Sequence, residues 1–191
     1  ITLFAQDYTK LDSLKQKKFS VYFSKGYEKR AASISIRVQH AMDYFEKLFN
    51  TKAEINLLVL AENDWATYSS SPVMGMPHYK NSKELVVAAH DKEMWRSFIP
   101  PTDKIPEDLA ADIKKYYISD EGNLSMQPFF DLLAIHELGH AFHMQAGINV
   151  QRKWIGELLV NMMLHSFIEQ NEPQSLGALT VFPNMVVAAG T

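Results

Sequence analysis

In the first half of the chain, the spacing of the hydrophobic residues changes several times between patterns typical of strands and of helices. Residues 19–23 alternate between apolar and polar side chains, which predicts a half-buried strand. From about residue 30 to residue 50 the apolar positions recur at helical spacing, which predicts an amphipathic helix. Two apolar runs, 53–61 and 84–89, predict buried strands. The Ser-, Gly- and Pro-rich segment 62–82 between them predicts a long loop.

The second half of the chain predicts helices. Prolines interrupt the segment 100–106, and a short helix is predicted over 107–118. Two strongly apolar helices are predicted over 125–145 and 151–170, and Gly147 suits the end of the first of them. Because strands come first and helices later, we predict an α+β fold.

Length and composition narrow the class of protein. The chain has 191 residues and a mass of 21.8 kDa, and 47% of its residues are apolar, which fits one globular domain. We expect a sheet-rich upper lobe over 1–106 and a helical lobe over 107–191. The 19 basic and 22 acidic residues nearly balance, so no nucleic-acid partner is expected. The chain has no cysteine and no apolar run of the ~18 residues needed to span a membrane, which excludes thiolate sites and a transmembrane segment.

The first residues bear on localisation. Residues 1–6 form a short apolar stretch that runs into polar residues. This pattern is typical of the end of a secretory signal peptide, which favours a protein exported to the periplasm or the extracellular space. The alternative is an ordinary first strand, and the pattern fits both.

The candidate chemistry lies in the first apolar helix, which contains the motif H-E-x-x-H at His136, Glu137 and His140. Residues four apart on a helix are neighbours on one face, so both imidazoles can bind one Zn²⁺. Glu137 can then act as the general base that activates water. The alternative is a pair of core histidines bonded to carbonyl groups, but buried titratable groups are costly unless they are paired or metal-bound.

A third ligand is expected in the next helix. A metzincin motif is excluded because position 143 is His where that motif has Gly, and position 146 is Ala. Glu157, Asn161 and His165 form one row on a helix that is otherwise mostly apolar. Glu157 would complete a His₂Glu site with one open position, and Asn161 would hydrogen-bond a ligand imidazole. Alternatively, Glu157 is an exposed or salt-bridged carboxylate. His143 shares the histidine face and could be an alternative ligand, but a catalytic site needs an open position, so His143 is expected to support the ligands or to pack.

His136, Glu137, His140 and Glu157 resemble the gluzincin branch of the zincin metallopeptidases. The resemblance covers mainly residues 125–170. It implies a zincin-like fold, in which a small mixed N-terminal sheet with a helix precedes the H-E-x-x-H helix and an antiparallel helix that carries the glutamate. It also implies Zn²⁺ as the cofactor. Asn161 stands where the family frequently has Asp, one turn after the glutamate.

The resemblance also implies where a peptide would bind. The family offers an edge strand above the metal to an extended substrate, and 84–89, with Val86 and Val87, is placed as that strand. The preceding loop would line the cleft through Gly75, Met76, Pro77 and His78; the alternative is a plain surface loop. His165 is the candidate oxyanion-stabilising residue, although it could be a core histidine. That group could also lie beyond residue 191, in a longer natural chain.

These patterns predict a zinc-dependent peptidase whose partner is a peptide or protein substrate. Glu137 would activate water for attack on a peptide carbonyl and then pass the proton to the leaving amine. One alternative is a zinc-binding or protein-interaction domain that kept the ligands and lost turnover. The other is a helical core that binds no metal.

Overall fold

The computed structural model describes residues 7–119 and 122–188 of the chain. These residues form five strands, seven α-helices and one 3₁₀ turn. The strands are β1 (Asp12–Lys15), β2 (Ser20–Phe23), β3 (Asn56–Leu60), β4 (His78–Lys80) and β5 (Glu84–Ala88). The helices are α1 (Glu28–Phe49), α2 (Glu62–Tyr68), α3 (Glu93–Arg96), α4 (Glu107–Tyr116), α5 (Gln127–Gln145), α6 (Lys153–Asn171) and α7 (Leu176–Ala188), and the 3₁₀ turn is Pro173–Ser175.

The five strands form one mixed sheet in the order β1-β2-β3-β5-β4. The three central strands run parallel, and the two outer strands pair antiparallel with their neighbours. Every residue of β5 and all but the first residue of β3 are buried. Strands that are covered on both faces are continuously apolar, which explains the unbroken hydrophobic runs in the sequence.

Two long helices join this sheet to the helical part of the chain. Helix α1 packs on β2 and β3, α5 packs on β4 and β5, and the two helices contact each other. Arg30 on α1 donates to both carboxylate oxygens of Asp131 on α5, and its Nη1 lies 2.8 Å from Asp131 Oδ2. Both side chains are about nine-tenths buried, so this pair fixes α5 against α1.

Helices α5 and α6 are antiparallel neighbours. A Cβ on Gly139 of α5 would lie 3.1 Å from the Cβ of Val160 on α6, so the glycine allows the two backbones to approach closely. Residues 136 and 140 on α5 face residues 161 and 157 on α6. This contact brings the polar residues of the two helices together.

The α+β class predicted from the sequence is confirmed, and the predicted long helices correspond to α1, α5 and α6. The prediction of a loop over 62–82 is wrong in part, because α2 and the short strand β4 lie within it. β1 and α7 also form where the pattern gave no clear period. β1 has only four residues, and the tail that forms α7 is mixed, with Gly177 and Pro183 inside the helix, so no period can be read from either stretch.

The prediction that 84–89 is the edge strand is wrong. β5 pairs with β3 on one side and β4 on the other, and its residues Val86 and Val87 are 0% and 2% exposed. The edge next to α5 is β4. Val86 and Val87 therefore belong to the core, and their backbone groups already pair within the sheet.

No helix in the described part of the chain is long and apolar enough to cross a membrane. The signal-peptide prediction rests on residues 1–6, which lie outside the described residues.

Candidate metal centre

Helix α5 presents the H-E-x-x-H residues together. His136, Glu137 and His140 each offer a ligand atom, and these atoms lie within 4.8 Å of one another; no second such group of His, Cys, Asp or Glu occurs within 7–119 and 122–188. Many other residues of α5, including the apolar Ile135 and Leu138, are buried in the protein core. The cluster could therefore hold a metal ion on a rigid, well-packed helix.

The carboxylate of Glu157 on α6 reaches both imidazoles. Its Oε2 lies 3.2 Å from His136 Nε2, and its Oε1 lies 3.5 Å from His140 Nε2. Two ligand atoms bound to one tetrahedral Zn²⁺ at 2.0–2.1 Å are about 3.3–3.4 Å apart. Each imidazole nitrogen thus lies about as far from an oxygen of Glu157 as two ligand atoms of one small cation lie from each other.

The surroundings of Glu157 differ from those expected for a buried helix. Its side chain is 56% exposed. Trp154, Leu158 and Met162 on the same side of α6 are exposed as well, and α6 buries only the face that packs against its neighbours. Glu157 is therefore not a carboxylate buried in an apolar helix. Its interpretation as a candidate ligand rests on its contacts with the two imidazoles.

Each candidate ligand histidine makes a hydrogen bond through its other ring nitrogen. His136 Nδ1 lies 3.0 Å from Asn161 Oδ1, and His140 Nδ1 lies 3.2 Å from His143 Nε2. Such contacts orient ligand imidazoles and leave Nε2 for the metal. Burial, followed by the neighbouring His136, lowers the pKa of His140, which favours the neutral ring that a metal requires.

Glu137 lies between the two histidines in sequence and under the edge of the sheet. Its Oε2 accepts a hydrogen bond of 3.1 Å from the backbone N–H of Tyr79 in β4. Burial raises the pKa of Glu137 to about 7, the charge of Glu157 adds to this shift, and the Tyr79 N–H opposes it. A half-buried carboxylate with a raised pKa next to two candidate metal ligands has the position of a general base.

The predicted cleft loop is held by contacts within the protein. His78 Nδ1 lies 2.9 Å from the carbonyl oxygen of Met76, and its Nε2 lies 3.2 Å from Ser69 Oγ. The carbonyl of Gly75 accepts a hydrogen bond of 3.0 Å from Trp95 Nε1. Pro77 leads directly into β4. These contacts fix the loop that precedes the edge strand, and a substrate-binding role for its residues stays a prediction.

Gly75 gives a direct test of this packing. It has a φ of +96°, and a Cβ there would lie 2.6 Å from Trp95 Nε1. We expect Gly75→Ala to lower the free energy of unfolding by about 2–4 kcal/mol, from backbone strain and overpacking together. In Gly26→Ala, at φ +86° with no atom within 4 Å, only the strain of about 1–2 kcal/mol applies. Urea denaturation measures both, and equal losses would contradict the packing account.

His165 does not join the cluster. It is exposed on α6, eight residues after Glu157, and a helix rises about 12 Å over that length. The role of His165 as the oxyanion-stabilising residue stays a prediction. The backbone contact of Tyr79 with Glu137 could not be predicted, because Tyr79 lies in a three-residue strand that is too short to show a period.

Comparison with known proteins gives no relative. No family model matches the chain, and no curated protein and no solved structure matches it either.

Proposed function

We propose that this protein is a zinc-dependent metallopeptidase of gluzincin type with a zincin-like fold. His136, His140 and Glu157 are its metal ligands, and Glu137 is its general base. A peptide or protein is the substrate.

One observation carries the proposal, namely the position of the Glu157 carboxylate between two histidine Nε2 atoms. The separations of 3.2 and 3.5 Å join residues on two different helices, so helix periodicity alone does not produce them. Two neutral imidazoles and one carboxylate form a donor set typical of catalytic zinc sites, which keep a fourth position open. The exposure of Glu157 agrees with an open side toward solvent.

Glu137 and Tyr79 have separate roles in the proposed hydrolysis. Zn²⁺ at this site would polarise the substrate carbonyl and make water easier to deprotonate. Glu137 accepts a proton from the attacking water and returns it to the leaving amine, which needs a carboxylate that can hold a proton briefly near neutral pH. The N–H of Tyr79 holds one carboxylate oxygen in place, so the base does not have to be ordered during the reaction.

Strand β4 supports a peptide as the substrate. Among the strands of residues 7–119 and 122–188 it has one neighbour, β5, so Tyr79 at its centre lies on the edge of the described sheet. The N–H of Tyr79 points to Glu137, and in a strand the carbonyl of the same residue faces the same side. An extended peptide that donates an N–H to this carbonyl would lie next to the base and the metal.

Metal removal tests the proposal. Protein treated with a chelator should lose hydrolysis of a broad peptide library, and one equivalent of Zn²⁺ should restore it, because the donor set suits Zn²⁺. Mg²⁺, which prefers oxygen ligands, serves as the matched control and should restore nothing. Hydrolysis by protein that elemental analysis shows to be free of metal would contradict the proposal.

A second candidate function is a zinc-binding domain without turnover. One observation favours it: the Tyr117 hydroxyl and the His78 ring, two groups that could donate to an oxyanion, are engaged within the protein. Tyr117 donates to the carbonyl of Ala178, and the two ring nitrogens of His78 contact Met76 O and Ser69 Oγ. One equivalent of bound zinc with no cleavage across the library would select this candidate.

A further inference from the structure

The C-terminal end of α5 closes in a Schellman cap. The N–H of Ile148 donates to the carbonyl of His143 at 2.9 Å, and the N–H of Gly147 donates to the carbonyl of Met144 at 3.2 Å. Gly147 has a φ of +71°, the left-handed conformation that this cap requires. The cap therefore holds the residue 148 backbone close to His143.

The side chain of His143 bridges this cap and the metal cluster. It is 6% exposed. Its Nδ1 lies 3.3 Å from the carbonyl oxygen of Ile148, and its Nε2 lies 3.2 Å from His140 Nδ1. The ring thus uses both nitrogens within the protein.

The chain of hydrogen bonds from the Ile148 carbonyl to His140 favours one tautomer of each neutral ring, whereas the Glu157 carboxylate beside His140 Nε2 favours the other tautomer of His140. A carbonyl oxygen only accepts, so Nδ1 of His143 carries the hydrogen and Nε2 of the neutral ring keeps a lone pair. His140 must then donate from Nδ1, which leaves its own lone pair at Nε2. That nitrogen is the one 3.5 Å from Glu157 Oε1. One backbone carbonyl therefore favours the tautomer of His140 in which Nε2, the nitrogen that faces the candidate metal position, keeps the lone pair.

We infer that His143 is a positioning residue that couples the C-terminal cap of α5 to the metal ligand His140. It is not itself a ligand, since its nitrogens face His140 and the Ile148 carbonyl and the group of candidate ligand atoms does not include it. Asn161 does the same for His136 from α6, so the two ligand rings are set by independent contacts. The role in metal binding rests on the proposed function, whereas the tautomer of His140 does not.

The first experiment measures which ring nitrogen of His140 and of His143 carries the hydrogen in the metal-free protein. Long-range ¹H–¹⁵N NMR of the metal-free protein should show His140 and His143 protonated at Nδ1. In His143→Leu, which removes the acceptor from a buried position, His140 should lose this preference. His143→Gln, which retains an acceptor, should keep more of it. A parent His140 protonated at Nε2, or a tautomer unchanged in His143→Leu, overturns the inference.

The second experiment measures metal affinity by competition with a chromogenic chelator. His143→Leu should bind Zn²⁺ about 10–100-fold more weakly than the parent, as Asn161→Ala should, and its Co²⁺ absorption spectrum should change. Equal affinity and an unchanged spectrum overturn the inference. A parent that binds no zinc, but shows the expected tautomers, refutes the proposed function and leaves the hydrogen-bond chain intact.

Gly147→Ala tests the coupling without altering the histidine, should His143→Leu not fold. The matched control is Gly26→Ala, because both glycines have a positive φ and no atom within 4 Å of an added Cβ. Gly147→Ala should weaken zinc binding and alter the Co²⁺ spectrum, whereas Gly26→Ala should do neither. The same zinc affinity in both variants overturns the coupling.

Discussion

Glu137→Gln is expected to lower the rate of peptide hydrolysis by a factor of about 10²–10⁴ while the zinc content stays unchanged. The amide is nearly isosteric with the carboxylate and cannot accept the proton of the attacking water, so the contribution of general base catalysis is lost. The change is measured as kcat on the best peptide from the library, together with elemental analysis of the same preparation.

Glu169→Gln is the control, because Glu169 is an exposed carboxylate on α6 that contacts none of the proposed ligands in the described hydrogen bonds and ion pairs. It should leave both the rate and the zinc content unaltered. A fully active Glu137→Gln enzyme would refute the assigned base. Loss of zinc from Glu137→Gln would instead mark Glu137 as a ligand, since its carboxylate lies within the His136–His140 cluster.

Asp131→Leu is expected to lower the free energy of unfolding by about 3–5 kcal/mol. The variant leaves the buried guanidinium of Arg30 without its bidentate partner, and an unpaired buried charge is strongly destabilising. Arg30 Nε already has no hydrogen-bond partner among the described residues, so little else could compensate the charge. Urea denaturation of the two proteins measures the loss.

The double variant Arg30→Met/Asp131→Leu controls for packing. It removes both charges and fills the same space with apolar atoms, so it should recover most of the lost stability. A single variant within about 1 kcal/mol of the parent would show that the pair is better solvated than its burial of about nine-tenths indicates.

Long periodic elements were the ones that the sequence could predict. Helices α1, α5 and α6 each span five or more turns, so their apolar positions repeat often enough to define a helix. The H-E-x-x-H spacing follows from that helix, because residues four apart must share a face. The position of Glu157 relative to His136 and His140 depends on how α5 and α6 pack, so the sequence could suggest only which residue type completes the site.

Sheet order and burial could not be predicted in the same way. β4 has three residues and its role as the edge depends on pairing with β5, which is not a local property. The unbroken apolar run of β5 is itself typical of a strand with neighbours on both sides. The apolar composition of α6 suggested burial all round, yet Trp154, Leu158 and Met162 are exposed.

The residues that hydrogen-bond the candidate ligand histidines could be predicted in part from the sequence. Asn161 lies one turn after Glu157, and this spacing already suggested a contact with a ligand imidazole; its Oδ1 lies 3.0 Å from His136 Nδ1. The role of His143 depends on the backbone at Ile148, which turns back only because Gly147 ends α5 in the left-handed conformation. Gly147 was recognisable as a helix stop, but the acceptor that this stop creates was not.

The measurement that tests the central claim most directly is the zinc content and zinc affinity of the parent and of Glu157→Ala, with Glu169→Ala as the control on the same helix. The parent and the control should bind one zinc per chain with equal affinity. Glu157→Ala should bind zinc more than about 100-fold more weakly, which exceeds the usual loss from one outer hydrogen bond. Zinc bound equally by the parent and Glu157→Ala, or no zinc in the parent after reconstitution, would contradict the His136–His140–Glu157 site.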